Sequence, residues 1–401
     1  QALEAEKIAG EQRGFADEQR EIADTRRQQA EANEKSAREQ SQLALSTLTS
    51  VVNDLQGGLR DVPGGGEIRR RLLTTSLEKL QSVSTQFLEQ SAVDRSTWQA
   101  LTDMGDVILT FGTGEAGSGI PEPKSELLAE QKSAVTLAES YYRRAFEIAK
   151  TLVEADPNDA QKQRDLSVSY NMLGDVFLNI GRTEAALAQY EDGLKIRRAL
   201  AEADPDDLQK QRDLSISFER LGDVLMRLGR TEEVLDQYEH SLKIRRALAD
   251  TDPSDAQKQR DLANALQRLG NVFQKLGRTD EALARYEDGL EIRRGLAEAD
   301  PSDAKKQREM SNSVSKLGDI YLTLGRTDDA LAQYKDSVKI SRSLAEADPN
   351  DLQKQADLST FQSLLGDVFR NLGRTGEALA QYEDSLKIRR FLAEADPRNA
   401  E

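Results

Sequence analysis

His240 and the string Gly112-Thr113-Gly114-Glu115-Ala116-Gly117 are the parts of this chain whose residue types most invite a chemical reading. A lone imidazole can act as a base or a pH sensor, and G-x-G-x-x-G can cradle a pyrophosphate where a strand runs into a helix. The surroundings argue against both. Gly105-Asp106-Val107-Ile108-Leu109 aligns with segments that read as helix, and Ser118 to Pro123 reads as a turn, so the glycines are expected to form an inter-helix loop. Pro63-Gly64-Gly65-Gly66 lacks the Gly-Lys-Ser/Thr of a P-loop and reads as linker. The matching position to His240 is Asp192, Asp288, Asp336 and Asp384, which predicts a solvent-facing side chain. The 71 carboxylates recur as repeated surface features rather than as one convergent pair. One histidine and no cysteine leave no zinc motif, disulfide or thiolate. The expectation is a chain with no catalytic constellation, no metal and no cofactor.

The elements that would position any site are helical. Alanine, leucine, glutamine and charged residues dominate the 401 residues, and aromatics are only 5%, which leaves little sheet former. The formal charge of −16 repels phosphate backbones, so nucleic acid is not an expected partner. Apolar runs stop at lengths such as Val107-Ile108-Leu109, so no membrane insertion is expected, and the absence of cysteine suits a reducing, cytoplasmic setting. A chain that begins at Gln1 reads as a piece of something longer.

Asp-Pro recurs at 156, 204, 252, 300, 348 and 396, each step being 48 residues, and Gly-Arg-Thr recurs in phase at Gly181, Gly229, Gly277, Gly325 and Gly373. Five units are expected over 158–397. In the first, Leu166, Tyr170, Leu173, Phe177 and Ile180 share one helical face, and Gly181 ends that helix as an αL residue. Thr183 is expected to cap a second helix that buries Leu187, Tyr190, Leu194 and Leu200 and runs to Pro205. Each unit is then an antiparallel hairpin that needs its neighbours to cover it.

Leu173-Gly174, Phe177, Ala186, Tyr190 and Gly193 resemble the tetratricopeptide repeat, and Leu221-Gly222, Leu269-Gly270, Leu317-Gly318 and Leu365-Gly366 repeat the pattern with Tyr238, Tyr286, Tyr334 and Tyr382. Glycine would let the two helices approach while tyrosine fills the gap beside it. The unit is longer than the family's usual 34 residues by about two turns per helix, similar in kind to kinesin light chains. An Arg-rich extension, Lys195-Ile196-Arg197-Arg198, stands where the family's proline falls. The resemblance implies an all-α, right-handed superhelical solenoid whose first helices line a concave groove that binds a protein segment.

Residues 67–157 read as degenerate leading helices of the same kind: Met104-Gly105-Asp106-Val107 echoes Leu173-Gly174-Asp175-Val176, with an inserted loop at 112–123. Residues 57–66 read as a Gly-rich linker, and 398–401 as a tail. Over 1–56, alanine falls every seventh residue from Ala2 to Ala44, which fits either a thin coiled coil or a solvated connector helix. This order of elements resembles the C-terminal part of large bacterial signalling proteins. That leaves two expectations: an interaction scaffold, or the regulatory or oligomerising arm of an enzyme (kinase, caspase-like protease, TIR or NTPase effector) whose catalytic domain lies outside the chain.

Across the copies the packing residues repeat while a stripe on the first helices varies, including the row Asn171, Glu219, Gln267, Ser315 and Ser363. Its middle is basic: Arg220, Arg227, Arg268, Lys275 and Lys316 stand beside Asn264 and Asn271. These seven residues form the candidate groove, with an acidic or carboxylate-bearing protein segment as the expected partner. The same stripe also reads as a wet surface whose cations pair with acids such as Asp223 and Asp319, and it lacks the full Lys/Asn set of the chaperone-binding carboxylate clamp. Phe391 stands where other copies carry Ala199, Ala247, Gly295 and Ser343, and is expected to mark an end that self-associates.

Overall fold

The computed structural model describes residues 93–112 and 129–395. The heptad segment at 1–56, the linker at 57–66, residues 67–92 of the leading helices, residues 113–123 of the inserted loop and the tail lie outside the described residues. Twelve helices and no strand occur among those described. They fall into two compact units that divide after Pro157.

In the first unit, α1 (Arg95–Gly112) and α2 (Ala129–Ala155) form a hairpin. Trp98, Leu101, Met104 and Ile108 are buried, as are Val135, Tyr141, Tyr142 and Ile148. Tyr142 lies over Gly105 and its hydroxyl donates to Asp106 Oδ1 at 2.6 Å. Gly112 therefore ends a helix and follows no strand, which removes the first requirement of a dinucleotide-binding turn.

The second unit is five hairpins: α3 (Ala160–Asn179) with α4 (Thr183–Ala203), α5 (Leu208–Arg227) with α6 (Thr231–Thr251), α7 (Ala256–Lys275) with α8 (Thr279–Ala299), α9 (Ala304–Thr323) with α10 (Thr327–Ala347), and α11 (Leu352–Asn371) with α12 (Thr375–Ala395). Each second helix packs on the first helix of the next hairpin, which makes a solenoid. Boundaries follow from local chemistry. Asp159 Oδ1 accepts the backbone N–H groups of Gln161 and Lys162 at 2.9 and 3.1 Å, and Asp207, Asp255, Asp303 and Asp351 do the same. At the other end Gly181 takes φ +74°, with Gly181 N donating to Leu178 O and Arg182 N to Phe177 O at 2.8 Å, a Schellman stop.

The second helices begin differently from expectation. Thr183 is their first helical residue, and Arg182 at the cap position makes no side-chain cap bond. The sequence offers two substitutes for a capping hydroxyl. Arg182, Arg278, Arg326 and Arg374 lay their guanidinium groups over Phe177, Phe273, Tyr321 and Phe369 at 4.4–4.8 Å. Arg230, Arg278, Arg326 and Arg374 also pair with an acid in the first turn, such as Arg278 with Glu281 at 2.8 Å.

Inside each hairpin glycine and tyrosine meet as the spacing suggested. A methyl group at Gly174 would lie 2.6 Å from Tyr190 Cε1, so only glycine admits the ring. Tyr190 and Tyr334 are each 1% exposed. A second constant link joins neighbours along the array. Arg164 pairs with Asp213 at 2.5 Å, Arg212 with Asp261 at 3.2 Å, Arg260 with Glu309 at 3.0 Å, and Arg308 with Asp357.

Candidate partner-binding face

The face that the first helices leave partly open carries a polar ladder built from two hairpins at a time. Asp175, Asp223, Asn271, Asp319 and Asp367 occupy one row. Each accepts the hydroxyl of the tyrosine fifteen residues on: Tyr190 to Asp175 and Tyr286 to Asn271 at 2.6 Å, Tyr382 to Asp367 at 2.8 Å, and Tyr238 to Asp223 and Tyr334 to Asp319 at short range. Burial, followed by the charge of Asp175, pushes the Tyr190 phenol far above its ordinary value, so it stays a donor.

Two cations from the following hairpin close the ladder. Arg220 Nη1 binds Asp175 Oδ1, and Arg268 Nη1 binds Asp223 Oδ1. The charge of Asp175 raises the Arg220 guanidinium above its usual value. Burial raises Asp223, while Arg268 and Tyr238 pull it back down. Arg220 and Arg268 are still 37% and 35% exposed, so they staple neighbouring hairpins while presenting part of each guanidinium to solvent.

The third rung is different. Asn271 replaces the carboxylate and Lys316 replaces the arginine, so no charge meets charge across that junction. Lys316 is 46% exposed and reaches only Asp319 on its own helix, at 3.5 Å. Lys275, at the end of α7, is exposed and makes no ion pair among the described residues. Asn264 is exposed and its Oδ1 accepts from Arg293 Nη2 at 2.8 Å. Arg227 is half-buried in the last turn of α5. Helical spacing puts all seven residues on one face of α5, α7 and α9, with the carboxylate missing at its centre.

One row assigned to that stripe lies elsewhere. Asn171 and Ser315 are each 5% exposed, and Glu219 accepts from Ser241 Oγ at 2.9 Å and from Arg245 Nη2 at 3.2 Å. In the first three hairpins this row meets a buried partner on the second helix. That partner is an arginine of the Arg-rich extension: Arg197, Arg245 and Arg293 are each 6% exposed. Its signal was positional, since Arg197 stands seven residues after Tyr190 and three after Leu194, on the buried side of α4.

His240 is about half exposed. It stacks on Phe218 at 5.1 Å, and its Nδ1 lies 2.7 Å from the Asp236 carbonyl oxygen. Among the described residues no group of three or more His, Asp or Glu is placed to hold a metal ion, and no helix is long and apolar enough to cross a membrane. On α12, Phe391 is 43% exposed beside Leu379 at 57% and Leu386 at 47%. Leu187 and Leu194, which match Leu379 and Leu386 on α4, are buried at 6% and 7% where α5 packs on α4. Ala199, Ala247, Gly295 and Ser343 are all exposed, so Phe391 occupies an outward ridge in every copy.

Family models described as tetratricopeptide repeat match residues 166–207, 213–295, 313–344 and 361–391. No curated protein matches the chain. Among solved structures, BtubC (BKLC) from P. vanneervenii is similar at 22% identity and TM-score 0.51, covering 65% of this chain and 92% of its own. The apo form of RapI is 14% identical with TM-score 0.46, covering 82% and 96%. The nearly identical TPR-like repeats from Podosopora anserina named for kinesin light chain are 17% identical with TM-score 0.43, covering 58% and 98%. At 22% identity the first of these is a likeness of fold.

Proposed function

The chain is a tetratricopeptide-repeat protein of the long-helix kind, and on that premise we propose that its array is a non-catalytic scaffold that takes an acidic protein segment on the open face of α5, α7 and α9. The observation that carries the proposal is the third rung of the ladder. Where four rungs hold an aspartate, Asn271 holds an amide, with Lys316 and Lys275 exposed around it. A carboxylate from a bound segment supplies there what Asp175 and Asp223 supply to Arg220 and Arg268. Cytoplasmic signalling in bacteria is the setting this reading favours.

Titrating labelled acidic and basic peptides at two salt concentrations tests it. Acidic peptides should bind and weaken as salt rises. Asn271→Asp, which fills the rung internally, should cut their affinity about tenfold, the loss of one charge-assisted contact. Preference for basic peptides, or unchanged affinity in Asn271→Asp, would reject the proposal.

We also propose that the α12 end pairs with a second copy, because Leu379 and Leu386 repeat residues that every earlier hairpin covers or half-covers with the next one. Light scattering across a concentration series should show association that Leu386→Ser weakens. A parent that stays monomeric throughout, with no change on substitution, would exclude it.

A further inference from the structure

Two equivalent cavities lie where one hairpin meets the next, and they differ in the residue that stands behind the buried arginine of each. The first, of about 170 Å³, is lined by Arg164, Arg197, Leu200, Gln209, Lys210 and Asp213, with Asp207 at its edge. The second has the same volume and the matching residues Arg212, Arg245, Leu248, Gln257, Lys258 and Asp261, with Asp255. Both carry three cations against two carboxylates. Either volume is well above that of a single water site.

In the second cavity the buried arginine is neutralised from within the protein. Arg245 meets Glu219 at 3.0 Å and also pairs with Asp261. In the first it is not. Arg197 Nε donates to Ser167 Oγ at 3.0 Å, and its Nη1 donates to the Asp213 carbonyl at 3.0 Å and to Ser217 Oγ at 3.3 Å. Asn171, where Glu219 stands one repeat later, sets its side-chain amide 3.2 Å from Arg197 Nη2. All these acceptors are neutral.

The carboxylates lining the first cavity are already engaged. Asp213 holds Arg164 at 2.5 Å and Gln209 at 2.7 Å. Asp207 caps α5 and pairs with Lys210 at 3.3 Å, and Lys210 also pairs with Asp204 at 2.7 Å. A guanidinium that is 6% exposed without a carboxylate in direct ion-pair contact is costly to bury. Burial, opposed by Asp213 and reinforced by Arg220 and Arg164, pushes Arg197 down to about 10.

We propose that the cavity between the first and second hairpins is a binding site for a small oxyanion, held by Arg197 with Arg164 and Lys210 at its wall, and that the cavity one repeat on is not. Glu219 does for Arg245 what the bound anion does for Arg197. The site is separate from the open face of α5, α7 and α9 and does not depend on a peptide.

Calorimetric titration of the full chain with inorganic phosphate, at ionic strength held constant with chloride, tests this. Saturable binding near one phosphate per chain is expected, and acetate and sulfate arms distinguish carboxylate from tetrahedral oxyanions. Asn171→Glu places a carboxylate beside Arg197 as Glu219 sits beside Arg245, and should weaken phosphate by at least about tenfold. Because this variant adds a counter-charge rather than removing a buried group, its helical signal and melting midpoint should be retained or raised. Glu219→Gln, with Asp261→Asn to free Arg245 fully, should add a second site. No saturable response in the parent, or full phosphate binding in Asn171→Glu, would overturn the proposal.

Discussion

Tyr286→Ala should lower the stability of the array by about 3–5 kcal/mol, the scale of a buried aromatic truncation. The ring is 4% exposed at the centre of the middle hairpin, and a methyl group at Gly270 would lie 2.9 Å from it, so no neighbouring side chain can fill the void. The hydroxyl adds a smaller share: it donates to Asn271 at 2.6 Å, and Tyr286→Phe should cost about 1 kcal/mol. His240→Ala is the control. It removes one exposed ring stack on Phe218 and should cost no more than about 1 kcal/mol. Urea melts of the three variants decide the matter, and comparable midpoints for Tyr286→Ala and His240→Ala would show that the inside and outside of the hairpin are wrongly assigned. The middle hairpin joins two on either side, so the Tyr286→Ala transition should also broaden as those flanks uncouple.

Gly222→Ala should cost roughly 2–3 kcal/mol, at the upper end of what overpacking produces. A Cβ there would overlap Tyr238 Cε1, more deeply than the matching atom at Gly270 overlaps Tyr286. Tyr238 cannot swing aside, because its hydroxyl is fixed by Asp223, which is in turn fixed by Arg268. The same change at Gly270 should be milder. A double-mutant cycle separates this cause from helix propensity, since adding Gly222→Ala to Tyr238→Ala should cost little beyond the tyrosine loss. Additive penalties would mean the ring is not what excludes the methyl group. Gly229→Ala is a different case: nothing crowds it, but its φ of +72° should cost about 1–2 kcal/mol through backbone strain alone.

The hairpins were legible because their signals are local and repeated. Gly181, the Asp-Pro steps and the pairing of Gly174 with Tyr190 are each set by residues within one unit, and five copies multiply them. Thr183 misled because a threonine before an acidic turn is a common cap, and the competing contact, Arg182 over Phe177, needs the preceding helix to be in place. The open face was legible as a row but not as an electrostatic arrangement. Along its own helix Arg220 stands three residues before Asp223, but the carboxylate it binds, Asp175, lies 45 residues earlier. The arginine at 197 was hidden for the opposite reason: its neighbour Arg198 is exposed and recurs just as regularly, so composition could not separate the two.

The fixed sequence offset of the cross-hairpin links bears on how such a chain can be inherited. Arg164, Arg212, Arg260 and Arg308 each find an acid 49 residues on, so donor and acceptor lie in different copies of one 48-residue unit. A recombination event that excises one whole internal unit leaves no donor stranded. Losing residues 254–301 would set Arg212 opposite Glu309 and re-form that link at once. The same event would also set Asp223 opposite Lys316 and erase the amide rung at Asn271. Unit number is thus free to drift under unequal crossing-over as far as folding is concerned, while the order of the units records which of them carries the amide rung.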